Sequence, residues 1–192
     1  MSRSTRIILA VMAIALFLCC VAGLGVALLG TRLVGRAVIT DPDRVAAVSS
    51  QIADFQIPPG YEQMFASNVA GVKMVTLSPA DPQAGFMVIM LLQLPAPTGR
   101  NQKEMERQME RALVQQTGVG SADLEVTGQE QVTIKGETVA LTVRDGTTQD
   151  GQALHQVSGL FPGQGGPTLL VITGLTEDWD QPAVDRFIAS IR

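Results

Sequence analysis

His155 is the only histidine in the chain, and it limits most of the chemistry available. A histidine acting as general base needs a nucleophile within reach and a carboxylate to orient its ring. Ser158 stands three residues on, which in a strand sends the two side chains to opposite faces. No Gly-x-Ser-x-Gly elbow surrounds that serine. Glu177, Asp178 and Asp180 are the acids a hydrolase built on His155 would draw on, and together they could attract a cation. They also fall where a helix N-terminus favours negative charge, and capping accounts for them more simply.

Two glycine-bearing segments superficially suggest ligand loops. Asp145-Gly146-Thr147-Thr148-Gln149-Asp150-Gly151 has Thr147 in the third position and Asp150 in the sixth, where a calcium loop wants an acidic or amide side chain and a glycine. A solvated hairpin tip joining two strands is the expected structure. Gly163-Gln164-Gly165-Gly166, between Pro162 and Pro167, lacks the Lys-Ser/Thr and the following helix of a phosphate loop. It reads as a hairpin connection. Tyr61 and Trp179, the only residues of their kinds, could anchor a ligand, but turn and staple packing explain them. Cys19 and Cys20 are the only cysteines, so residues 41–192 hold no disulfide and no thiolate zinc site. The expectation is a non-enzymatic protein with no catalytic, cofactor-binding or metal-ligating residue and no cofactor.

Charge narrows the partners. Residues 1–40 contain Arg3, Arg6, Arg32 and Arg36 and no acid, so of 14 basic and 18 acidic residues the rest of the chain holds 10 and 18, a net −8. Phosphate backbones need clustered Lys and Arg, so nucleic acid is excluded as a partner. A composition of 46% hydrophobic and 17% charged residues excludes wholesale disorder.

The run Ile7–Gly30 contains no charge, Asn, Gln or Pro. As a helix it would be about 36 Å long at 1.5 Å per residue, enough to cross a roughly 30 Å hydrocarbon core. A cleaved signal peptide is the alternative, since Cys20-Val21-Ala22 has small residues where a peptidase reads, but the apolar run continues past the usual limit of such regions. Leu18 before Cys19 does not suit a lipoprotein box. The expectation is a single-pass anchor and stalk over residues 1–40. The short Arg3/Arg6 head lies in the cytoplasm, and a domain of residues 41–192 lies outside it.

Within that domain, Asp41-Pro42-Asp43 predicts a helix start, and Val45, Val48 and Ile52 give a helix of about 42–53 one apolar stripe. Strands are expected near 62–68, 72–78, 85–94, 124–134, 137–144, 152–160 and 168–174. Phe86–Leu92 and Leu169–Ile172 are apolar on both sides, as strands covered on both faces should be. Asn101–Thr117 predicts a helix, with Met105, Met109, Ala112 and Leu113 inward and a mixed-charge outer face. A last helix starts near Asp180, where Trp179 and Val184 occupy hydrophobic-staple positions and Val184, Phe187, Ile188 and Ile191 form the buried stripe. Hairpin-linked strands with helices on both faces give an α+β fold, a three-layer sandwich around a mostly antiparallel sheet.

The segment Phe55-x-Ile57-Pro58-Pro59-Gly60-Tyr61, the long central helix, the hairpin meander and the closing Trp179…Phe187-Ile188-Ala189-Ser190-Ile191-Arg192 helix resemble the PsbP-like α/β/α sandwich. The resemblance covers residues 52–192 and includes DcrB-like and LpqN-like bacterial envelope proteins, many of them anchored by an N-terminal lipid or helix. It implies an accessory or assembly role and carries over no catalytic residue. The function expected is therefore a membrane-anchored, extracytoplasmic binding or assembly module, held in the membrane through Ile7–Gly30 and partnered by another envelope protein. The alternatives are an envelope hydrolase using His155 and the nearby acids, or a secreted protein with the same domain.

Overall fold

A computed structural model describes residues 38–81, 83–96 and 123–192. The anchor run Ile7–Gly30 and the helix expected over Asn101–Thr117 lie outside the described residues. Among those described, no helix is long and apolar enough to cross a membrane.

Ile39–Arg192 form one compact unit. It is built on an eight-stranded sheet of order β1-β2-β3-β4-β8-β7-β6-β5. The strands are β1 (Val38–Ile39), β2 (Tyr61–Val69), β3 (Val72–Pro79), β4 (Met87–Gln93), β5 (Asp123–Ile134), β6 (Glu137–Thr147), β7 (Ala153–Pro162) and β8 (Pro167–Leu175). Every pairing from β2 to β5 is antiparallel. Hairpin chemistry sets much of this order. Ala70-Gly71 and Lys135-Gly136 both have positive φ at each residue, as a two-residue turn matching the strand twist requires. The last strand, β8, inserts between β4 and β7 and so joins the two meanders into one sheet.

Two helices accompany the sheet: α1 (Pro42–Ile52) and α2 (Gln181–Ser190). Asp41 caps α1 by accepting from the Arg44 N–H at 3.1 Å, and Asp180 caps α2 through the Ala183 N–H at 3.0 Å. Each helix has a proline in its first turn, where no N–H is needed. Val45, Val48 and Ile52 of α1 and Val184, Phe187 and Ile188 of α2 belong to one core cluster with Val75, Leu77, Ile89, Leu91, Leu141, Val157, Leu170 and Ile172. The register places these strand residues on a single face: Leu91 opposes Leu170, Ile89 opposes Ile172, and Ile172 opposes Val157.

Both described helices therefore cover the same face, and the described residues form two layers where three were expected. In β4 the alternation is visible: Met87, Ile89 and Leu91 are buried under the helices, while Val88, Met90 and Leu92 on the other face are half-buried. Phe86, grouped with them by sequence, is exposed. The α2 end is tied to the chain after α1 by paired backbone bonds between Asp54 and Arg192, 3.3 and 2.7 Å, and by an edge-on Phe55–Phe187 contact.

Candidate functional site

Of the residues singled out for chemistry, the structure brings Asp145 and Trp179 to His155 and adds Thr127, while Ser158 points to the other side of the sheet. β6 runs on to Thr147, so Asp145 and Gly146 are strand residues and not part of a loop, contrary to the expected hairpin tip. The loop proper is Gln149–Gly151. Thr148 and Gln152 are joined by a backbone bond of 2.9 Å, and Gly151 has φ +79°. A three-residue connection ending in a left-handed glycine is the second commonest hairpin geometry. It fixes the β6–β7 register so that Asp145 lies directly opposite His155.

Their side chains meet, with His155 Nδ1 2.5 Å from Asp145 Oδ1. The other carboxylate oxygen accepts from the Thr127 hydroxyl at 2.5 Å. Thr127 reaches it from the bulge in β5, where the register shifts between Val126 and Gly128. The hydrogen bond from Thr127 holds the Asp145 carboxyl below its ordinary value against partial burial, with the contact to His155 adding to the same effect. An ionised carboxylate can only accept, so the proton lies on Nδ1 and a neutral His155 ring presents Nε2 as a lone pair. Trp179 closes one side, edge-on to the imidazole with ring centroids 4.3 Å apart. Its indole N–H donates to Gln181 Oε1 at 2.8 Å. The site lies at the rim, with the His155 side chain 22% and Asp145 46% exposed.

A carboxylate orienting a histidine is two-thirds of a nucleophile-activating arrangement. Ser158 does not complete it. It lies on the opposite face, as its spacing predicted, and accepts from Arg144 Nη1 at 2.7 Å. Two of the three acids expected to assist His155 accept backbone N–H groups instead. Asp178 accepts the Phe86 N–H at 2.7 Å, a contact that only glycine allows at position 85: a Cβ there would sit 2.5 Å from the carboxylate carbon. Asp180 is committed to the α2 cap, as expected for this group, and the Tyr61 phenol is pushed up by burial first and by the Asp180 charge second. Glu177 is exposed in the 3-10 turn Thr176–Asp178. Asp145 is the acid that contacts the ring, and its expected place in a loop hid it.

The Gly163–Gly166 loop serves packing. A Cβ on Gly165 would lie 2.8 Å from Gln93 Oε1, one on Gly163 would lie 2.9 Å from the Ile52 carbonyl, and the Gln164 N–H donates to that carbonyl. Gln93, 1% exposed, donates to the same carbonyl at 3.3 Å and accepts from Lys73 Nζ at 3.5 Å. The loop thus seals the C-terminal end of α1. Among the described residues, no three His, Cys, Asp or Glu stand together as metal ligands.

No protein-family model matches the chain, and no curated protein matches it. Among solved structures, its fold is similar to that of LpqN of Mycobacterium tuberculosis, a protein involved in cell envelope biogenesis. The match has a TM-score of 0.41 and 13% identity, and it covers 72% of this chain and 81% of that one.

Proposed function

We propose that the protein is a membrane-anchored binding or assembly module of the bacterial envelope. In this reading Ile7–Gly30 is retained as the anchor and the body stands outside the cytoplasm. The observation that carries it is how the polar groups are used. Asp41, Asp178 and Asp180 satisfy backbone N–H groups, and the glycine loop seals a helix end. His155 has an orienting carboxylate, and among the described residues no side chain is bonded to its Nε2. The same reading takes the complete fold as a three-layer sandwich. It is supported by β4 and β5 running in the same direction with β8, β7 and β6 between them, since parallel strands take a crossover connection, usually an α-helix. The Asn101–Thr117 helix expected from the sequence suits the face that α1 and α2 leave uncovered.

A second reading has one observation in its favour, the Asp145–His155 pair, which would make the body an envelope hydrolase acting through water. Complementation of a deletion strain separates the two. The double variant His155→Ala, Asp145→Asn should complement nearly as well as wild type if binding is the function. A general base would lose about 10²–10⁴-fold in rate. A soluble form beginning at Asp41 should complement poorly, because the anchor supplies effective concentration near a membrane partner. A dead double variant with an active soluble form would reverse the assignment.

A further inference from the structure

The two edges of the sheet are built differently. β1 is two residues long, a common way to blunt an edge. β5 closes the other side and, at 12 residues, is the longest described strand. It has no proline and no lysine, and its one bulge lies at Val126–Gly128, so the stretch Gln129–Ile134 pairs regularly with β6 and, among the described residues, on that side only. The Lys135-Gly136 turn makes Ile134 and Glu137 a mutually hydrogen-bonded pair, and pairs alternate from there. Ile134, Val132 and Glu130 thus turn their backbone groups toward β6. Gln129, Gln131 and Thr133 turn theirs outward, and all three residues are exposed.

We propose that this outer edge of β5 docks an extended, basic segment of another protein, which adds to the sheet as a further strand. The proposal rests on the binding-module reading and names the surface it would use. Backbone bonding at Gln129, Gln131 and Thr133 supplies the attachment, and the side chains supply the selection. On the helix-covered face the incoming strand meets exposed Glu130 and, two residues on, half-buried Val132, which packs against the core. On the other face it meets Gln129, Gln131 and Thr133. An antiparallel segment reading apolar-x-basic satisfies both positions. Glu125 and Glu137 nearby are also exposed, and the domain's −8 charge favours a cationic partner over a second copy.

The test uses the full chain in detergent with two fluorescent peptides. One alternates threonine with valine and lysine, and the other carries glutamate for lysine. The basic peptide should bind at least tenfold more tightly than the acidic one, and Glu130→Lys should invert that preference. Gln131→Pro removes an outward N–H that β6 does not use, so the fold should persist while binding falls tenfold or more. If that variant does not fold, peptides N-methylated on alternate residues give the same information. Methyls on one alternation should abolish binding and methyls on the other should leave it intact. Equal binding of both peptides, indifference to either methylation pattern, or full binding by a folded Gln131→Pro would overturn the proposal. So would peptide-free dimers that Gln131→Pro dissolves, which would assign the edge to a second copy. Loss of peptide binding with complementation unaffected by the His155 and Asp145 changes would remove this surface and leave the binding-module reading in place.

Discussion

The two faces of the sheet contrast sharply in composition. Under α1 and α2, buried strand positions are almost all apolar, with polar Gln93 and Thr168 only at one end. The opposite face carries a buried polar stripe of Thr76, Ser78, Thr173, Gln156, Ser158 and Arg144, set among Val171, Leu169 and Leu154. Gln156 Nε2 donates to Thr173 Oγ1 at 3.0 Å. The Thr76 and Ser78 hydroxyls, both 6% exposed, have no hydrogen-bond partner in the described structure. The difference teaches that stability and specificity are assigned to separate faces. Apolar rows supply the driving force without direction, while paired polar groups fix which strand lies against which.

That division fails if the helix-covered face is not where the folding energy resides. Phe187 is 1% exposed and meets Phe55 edge-on at 5.3 Å. Phe187→Ala should lower unfolding free energy by about 3–5 kcal/mol in denaturant titration, the transfer and cavity terms together. A loss under about 1 kcal/mol would show that α2 contributes little.

Much of this arrangement is legible in the sequence, because local rules determine it. Asp41-Pro42 and Asp180 announce helix starts through capping chemistry, and Val139 and Leu141 alternate as a half-buried strand does. What escapes the sequence is non-local. The insertion of β8 between β4 and β7 follows from pairing across the whole chain, and double-sided apolarity in β4 does not say which elements supply each cover. The Asp145–His155 pair escaped for a smaller reason. Asp, Gly and Thr are turn formers, so the expected strand ends at residue 144 and leaves Asp145–Gly151 as a tip, whereas β6 runs on to Thr147 and pairs Asp145 with His155.

The polar stripe offers a smaller effect with a distinctive sign pattern. Gln156→Leu alone leaves the buried Thr173 hydroxyl without its donor and should cost about 1–3 kcal/mol. Adding Thr173→Val should recover most of that loss, giving a coupling readable in a double-mutant cycle. Two independent, additive losses would mean that the pair does not act as a unit. Thr76→Val and Ser78→Ala should run the other way. Each removes a buried hydroxyl that has no partner, so each should be neutral or stabilise by up to about 1 kcal/mol. A loss greater than that in either variant would show that the hydroxyl is bonded after all.

The smallest effect belongs to the rim of the helix-covered face, where Asp145 is held between Thr127 and His155. The Thr127 hydrogen bond lowers the Asp145 carboxyl, so the unfolded chain binds its proton more readily than the folded one. The resulting stabilisation is present above the unfolded carboxylate range, about pH 4, and is lost as pH falls through the lower folded value. Asp145 is 46% exposed, so solvent screening keeps the contribution within about 1 kcal/mol. Wild type should therefore exceed Asp145→Asn by a small margin that is constant at neutral pH and vanishes as the carboxyl protonates. Thr127→Val, which removes the largest cause of the shift, should move that convergence to higher pH. Parallel stability curves for wild type and Asp145→Asn down to pH 2 would mean that the carboxylate, despite its two partners, contributes nothing as a charge.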